Sequence, residues 1–429
     1  MSQRMQTVRI LALTISNGMM QRIRHGQMES AKVWVACRDE LHRCMTERMK
    51  WPNRDSLQKL TKGRFAMHSQ SVQMVCHAFL ANVDTATQLR KAGRSEIRYP
   101  YRDKTFYPLY WPAQAMSIQD NKVILPMGRG RASIVFDRPE WLDKPAACKL
   151  IWNRTHYEAH INVDIPAKEM QETGIKATID LGQIHQCAVT TNTGQALIVS
   201  GRGIRSAKRR MNKMHGEVTK LQSRCNKGSR RWKRLQLARN RNALRLERTI
   251  RDLRHKGTRQ VIDFCHFNRV NTIYVGNPDG VRKIRTGRKH NQRMSQWEYG
   301  KDIDYLKHKS KQSGISSFDG TERGTSSHCP ICGHRHKPSG RNWSCPVCGF
   351  KGHRDLVGSI NMHDLAFGEK PTFPVSKDVT YLRPGTSARS VFAGRLQRLA
   401  SRSSRPDQGQ ATGLLLHETM SSTTSGVIP

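Results

Sequence analysis

The sequence predicts an α+β protein of several domains. Helices interrupt short antiparallel strands in its first part, and apolar strands alternate with long helices around an inserted metal ribbon in its second. Three observations carry this reading. Hydrophobic periodicity switches from strand-like to helical and back along the chain. Two C-x-x-C pairs, Cys329/Cys332 and Cys345/Cys348, stand close together. A length of 429 residues with 36% apolar side chains suits two or three modest cores.

Charge narrows the partners. Lys and Arg number 74 against 33 Asp and Glu, a net charge of +41. So much like charge in a folded chain calls for a polyanion, with nucleic acid ahead of an acidic membrane surface. No apolar run of about twenty residues exists, so no membrane span is expected. The start, M-S-Q-R-M-Q-T-V-R-I-L-A-L-T, alternates like a strand and does not read as a signal peptide. Eleven cysteines are an odd number, and seven (Cys37, Cys44, Cys76, Cys148, Cys187, Cys225, Cys265) show no paired spacing, as in a reducing compartment.

Taken in order, residues 1–16 hold one strand, T-V-R-I-L-A-L-T. Residues 17–95 read as a helical domain: Met28, Ala31, Trp34, Val35 and Leu41 share a helical stripe, as do Val72, Val75, Phe79 and Val83. Pro52 and Asn53 break it, and Asp55 can cap the next helix. Residues 96–165 are rich in aromatics and short strands, with Asp120-Asn121 as a hairpin turn. They predict a small antiparallel barrel that the first strand closes. Its aromatic residues either stack on bases or fill the barrel, and Tyr107 and Trp111 are the named stacking candidates.

A linker at 166–173 precedes strands expected at 177–181, 186–191 and 196–200. Asp180 lies in the first of these, near Gly182, where a carboxylate needs a cation or hydrogen bonds. Residues 202–256 are helical and intensely basic, hinged near Asn226-Lys227-Gly228. Arg209, Arg210, Lys213, Arg230, Arg231, Lys233 and Arg234 are candidates for phosphate contact, because a merely solvated face mixes signs. Another buried strand, N-T-I-Y-V-G-N, leads to a basic loop at 282–293, a helix stopped by Gly314, and a short strand. The ribbon at 325–352 follows. Four thiolates on two tight turns suit one structural Zn²⁺, with Gly333 and Gly349 supplying the turns' positive φ; two disulfides are the competing reading. Residues 353–368 start a helix with Asp355 in its first turn, flanked across the ribbon by Glu322. Residues 369–429 read as a mostly disordered, basic, Ser- and Gly-rich tail.

With I-D-L-G, L-R-H-K, Q-W-E-Y, T-S-S-H-C-P-I-C-G, C-P-V-C-G-F and H-R-D-L-V-G-S-I-N laid out in that order, the chain resembles TnpB, the transposon-encoded RNA-guided DNA nuclease, and more distantly the miniature type V CRISPR effectors. The likeness is best from residue 174 to 365 and does not reach the tail. It implies an RNase H-like (RuvC) nuclease domain at 174–324 and 353–368 with the zinc ribbon inserted. A wedge-like barrel with an inserted helical domain would precede it. It implies two Mg²⁺ ions held by three carboxylates, of which Asp180 matches the first and Asp355 the third. The family's usual second carboxylate falls at Gly276, which has no side chain to offer. Some members carry that Glu just before the ribbon, where this chain has Glu322. Relocation to Glu322, the turn residue Asp279, and a nuclease that has lost cleavage are the three alternatives. The resemblance further implies a guide RNA encoded near the gene, a double-stranded DNA target, a prokaryotic cytoplasmic or nucleoid location, and a monomer in preference to an oligomer. An RNA-guided binder that does not cut, and a transposase-like DNA-binding protein without guide RNA, are the competing functions.

Overall fold

The computed structural model describes residues 4–166, 168–169, 172–278, 287–336, 338, 340–374 and 378–385. The chain divides into two compact units at Pro166. In the first, β1 (Arg4–Ala12) is followed by three helices: α1 (Asn17–Thr46), α2 (Arg54–Thr61) and α3 (Ser69–Lys91). Strands follow: β2 (Leu109–Pro112), β3 (Ser117–Gln119), β4 (Lys122–Leu125), β5 (Ile134–Asp137), β6 (Pro145–Trp152) and β7 (Tyr157–Pro166). Local chemistry fixes the helix starts. Ser16 accepts from the Met19 amide at 3.3 Å, and Asn53 and Ser56 form a reciprocal capping box at 2.9 Å each way. Asp120 and Asn121 turn the hairpin at φ 46° and 58°, a region these two short polar residues tolerate.

β1 pairs antiparallel with β7 along its whole length, from Arg4 opposite Pro166 to Ala12 opposite Glu158. The first strand of this unit is thus stitched to its last. The strands do not close into the expected barrel. They make two separately bonded sheets, β1-β7-β6-β2 and β3-β4-β5, that share one core with the helices. The short strands explain this: β4 buries Val123 and Leu125, and β5 buries Ile134 and Phe136, so the small sheet is held by one apolar face. Trp34 stacks edge-on to Phe79 at 5.1 Å in the same core.

The second unit carries the sheet that positions the site. Its elements are β8 (Lys176–Leu181), β9 (His185–Thr191), β10 (Ala196–Ser200), α4 (Arg202–Gln222), α5 (Arg230–Phe267), β11 (Thr272–Asn277), α6 (Arg288–Gln296), α7 (Tyr299–Gln312), β12 (Ser316–Thr321), β13 (Asn342–Ser344), β14 (Lys351–His353), α8 (Arg354–Phe367) and β15 (Val379–Leu382). The sheet order is β12-β11-β8-β9-β10-β15. β8, β9 and β10 are antiparallel neighbours, whereas β11 and β12 run parallel to β8. Alternation along β8 sends Ala177, Ile179 and Leu181 into a core with Val261, Ile262 and Phe264 of α5. Thr178 faces the other way, bonded to α8 through Ser359 at 2.6 and 2.9 Å.

Two expectations are corrected. Arg288–Gln296 is a helix, not the end of a loop; its nine residues lack Pro and Gly. Val379–Leu382, read as part of a disordered tail, pairs parallel with β10 and buries Thr380 and Leu382. Its V-T-Y-L alternation is a four-residue signal that the polar surroundings hide. The rest of the tail from 386 lies outside the described residues, as does Asp279. No helix among the described residues is long and apolar enough to cross a membrane.

Candidate active site

Asp180 shares its face of β8 with Thr178 and so points toward α8. α8 meets it with a glycine: a Cβ built on Gly358 would come within 2.7 Å of Asp180 Oδ2. The strand and the helix therefore touch where the first carboxylate needs room. Register places Gly276 next in line, since Val275 of β11 is opposite Ile179 of β8.

Gly276 is filled from elsewhere. A Cβ there would lie 2.6 Å from Glu322 Oε2 and 2.7 Å from Met362 Sδ. Glu322 leaves the end of β12, the strand beside β11, and its carboxylate occupies the volume a side chain at Gly276 would take. Glu322 Oε2 is sealed from solvent and has no hydrogen-bond partner. A buried carboxylate oxygen in that state wants a cation.

Asp355, in the first turn of α8, completes the group. His185 Nδ1 donates to its Oδ2 at 2.8 Å, and Arg341 Nη1 donates to both oxygens at 2.6 and 2.7 Å. Asp180, His185, Arg341, Arg354 and Asp355 line one cleft of about 570 Å³. Two groupings among the described residues have one ligand atom from each member within 4.8 Å of the others: the four ribbon cysteines, and His185, His353 and Asp355. The three carboxylates do not make a set that tight.

The electrostatics separate the three acids. Burial raises Asp180 well above the carboxylate range, and the charges of Glu322 and Asp355 add to it. Burial pushes Glu322 up to about 7. Burial would raise Asp355 too, but the His185 hydrogen bond and the Arg341 charge bring it below its ordinary value. Two carboxyls that resist ionisation beside a third that is ionised form a site where a multivalent cation gains most.

The ribbon sits beside this cleft. Sγ of Cys329 is 3.5 Å from that of Cys348, and Cys332 and Cys345 are equally spaced. Bonded disulfide sulfurs are about 2.05 Å apart, so the disulfide reading fails. Four thiolates about 2.3 Å from a zinc ion would be nearly 4 Å apart, so this cluster could hold zinc. Each knuckle closes alike: Gly333 N–H donates to Cys329 O at 2.9 Å and Gly349 N–H to Cys345 O at 3.1 Å, both glycines at φ 72°. Trp343, fully buried, packs with Cys329, Cys345 and Val357, and so ties the ribbon to α8.

Of the residues the sequence proposes for phosphate contact, Arg209, Arg210, Lys213, Arg230, Arg231, Lys233 and Arg234 are all exposed on α4 and α5. Arg202, Arg205, Lys208 and Arg209 face Lys289 and Arg293 of α6 across a groove that also reaches Gln183, a wall of the carboxylate cleft. Burial and the surrounding charges of Arg293, Arg341, Arg202 and Arg209 lower the Arg205 guanidinium. Trp111 does not qualify as a stacking residue. It is 1% exposed and its Nε1–H donates to Pro126 O at 2.8 Å. Tyr107 is half-buried between Trp34 and Tyr110. Sequence reasoning missed His185, His353 and Arg341, and read the basic start of α6 as loop. H-R-D puts His353 two residues before Asp355, which is a usable signal. Nothing in the sequence marks Arg341.

A family model described as "Cas12f1-like, TNB domain" matches residues 299–362, and one described as "Probable transposase" (OrfB of IS605) matches residues 160–282. A cryo-EM structure of a Cas12f1–sgRNA–target DNA complex superposes with a TM-score of 0.56 at 13% identity, covering 81% of this chain and 83% of that one. Both family-model matches fall within residues 160–362, the stretch whose motifs resemble TnpB. The mini RNA-guided endonuclease CRISPR-Cas_phi3 aligns with this chain more loosely, at TM-score 0.43 and 11% identity over 87% of this chain and 94% of that one. No curated protein matches the sequence.

Proposed function

We propose that the chain is an RNA-guided DNA endonuclease whose second unit is a RuvC-type, RNase H-like nuclease. One observation carries this reading: Glu322 fills the space left by Gly276, beside Asp180 and Asp355. A chain that had merely lost its second carboxylate would have no reason to bury another one, unpartnered, in the same place.

The donor set fits divalent cations. Asp180, Glu322 and Asp355 would hold two Mg²⁺ ions, hard cations that take oxygen ligands. Bound there, they would activate water and stabilise the leaving oxygen of a phosphodiester. The chain's own residues do the remaining work. Arg341 and Arg354 give the cleft positive charge for the scissile phosphate. The α4–α6 groove leads a strand toward it, because arginines that repel one another are relieved by phosphates. Cys329, Cys332, Cys345 and Cys348 would hold one Zn²⁺, keeping the ribbon on α8 and so keeping Asp355 in place. The exposed arginines and lysines of α4 and α5 supply contacts to guide RNA or target DNA, and pairing with the guide supplies the sequence choice.

The test is cleavage of a plasmid library by the full-length chain purified with its bound RNA, the RNA being sequenced. The reading expects RNA-dependent cutting in Mg²⁺ that Asp180→Ala abolishes while DNA binding survives. Tight guided binding without cutting by the unaltered protein would make it an occupancy device. Absence of copurifying RNA would favour a guide-free DNA-binding protein.

A further inference from the structure

We infer that His185 and His353, with Asp355, form a second kind of metal position in the cleft, one that takes a first-row transition-metal dication in preference to Mg²⁺. It extends the nuclease reading of this cleft and rests on that reading for the ion's role, though not for its binding.

The geometry is built before any ion is considered. One ligand atom from each of the three residues lies within 4.8 Å of the others. The side chains of His185 and Asp355 are 13% and 15% exposed, so the group is neither a surface cluster nor sealed. The imidazole rings stand edge to face at 4.9 Å. Each histidine is fixed by its neighbours. His185 Nδ1–H donates to Asp355 Oδ2 at 2.8 Å, the contact that an ion held by both groups would replace. His353 Nδ1 is unprotonated, since it accepts the Asp355 amide at 3.3 Å. An ion would replace that long contact as well.

Asp355 can serve both this position and the carboxylate one. Its two oxygens offer about four lone-pair directions, of which His185 and the two Arg341 contacts take three. An ion on the imidazole side would release one of these. The two positions differ in their donors: Asp180 and Glu322 offer only oxygen, whereas His185 and His353 offer nitrogen. Mg²⁺ takes oxygen and dehydrates reluctantly. Imidazole with one carboxylate favours transition metals, whose affinities rise from Mn²⁺ through Fe²⁺ and Co²⁺.

Mn²⁺ is the suitable probe, because it is paramagnetic and competes poorly for the ribbon's thiolates. The full-length chain, labelled with ¹⁵N-histidine, is loaded with one equivalent of Mn²⁺, and its pulsed EPR spectrum is recorded. The label separates histidine nitrogen from any nitrogen of bound RNA. The expected result is ¹⁵N coupling that survives a tenfold excess of Mg²⁺. Binding should weaken about tenfold or more in His185→Gln. His353→Asn, which keeps a capping side chain on α8, should behave alike and control for misfolding. Absence of ¹⁵N coupling, displacement by Mg²⁺ at equal concentration, or unchanged Mn²⁺ affinity in both variants would overturn the inference. Mg²⁺-supported DNA cutting in a protein without ¹⁵N coupling would refute this inference alone. Coupling in a protein that never cuts would refute the nuclease reading alone.

Discussion

At position 276 the chain has a glycine, and the carboxylate end of Glu322 takes the space beside it. A Cβ there would meet the ends of both Glu322 and Met362 at under 3 Å, so any larger residue makes those two side chains shift. Gly276→Glu therefore puts two carboxylates in one volume. It is expected to destabilise the protein by about 1–3 kcal/mol through overpacking, and by more through charge repulsion. Glu322→Ala in the same chain should relieve the crowding, so the double variant should melt higher than Gly276→Glu alone. Differential scanning fluorimetry of the three proteins checks this. Asp180 and Asp355 were legible as residues in the sequence, and so was the gap between them. Glu322 was available only through the family resemblance, as one of three alternatives, since it follows a neighbouring strand 46 positions away and only the sheet order brings it back.

α8 is the element on which the site depends. It carries Asp355 at its start, Gly358 against Asp180, Ser359 against Thr178, and Val357 against the ribbon. His363 anchors its far half, with Nε2 3.0 Å from Thr190 O and no solvent exposure. Burial lowers that imidazole to about 4, against about 6.5 in an unfolded chain. Protonation therefore favours unfolding. The stability His363 contributes is complete above pH 6.5 and falls until the pH passes about 4, by about 3 kcal/mol at most. The slope of melting temperature against pH in that window should be shallower in His363→Asn. The ribbon gives a second test on the same helix. A strong chelator or Cys348→Ser should expose Trp343 and shift its fluorescence to the red; an unmoved spectrum would separate the ribbon's fold from metal. The ribbon was readable from cysteine spacing. β15 was not, because four alternating residues in a polar stretch do not rise above their surroundings.

For the whole molecule, charge is the property that acts at a distance. A net charge of +41 was evident from composition, but only the fold shows that α4 and α6 concentrate it beside the carboxylate cleft. Composition could equally have spread it over every surface. The small barrel was misread at this scale, because strand content does not say whether two sheets close. Nucleic-acid affinity is expected to fall steeply with salt. Arg209→Ala should flatten the log–log slope by about 0.9 if that side chain neutralises one phosphate of duplex DNA, which fluorescence anisotropy across a salt series measures.

The central claim is that Glu322 stands in for the side chain that Gly276 lacks, in a working nuclease. Single-turnover cleavage of the guide-matched target in Mg²⁺, comparing the unaltered protein with Glu322→Gln at equal DNA occupancy, tests it most directly. Cutting by the first is expected, with a rate lower by about a thousandfold or more in the second, or roughly 4 kcal/mol of barrier. Equal rates in the two proteins would contradict it.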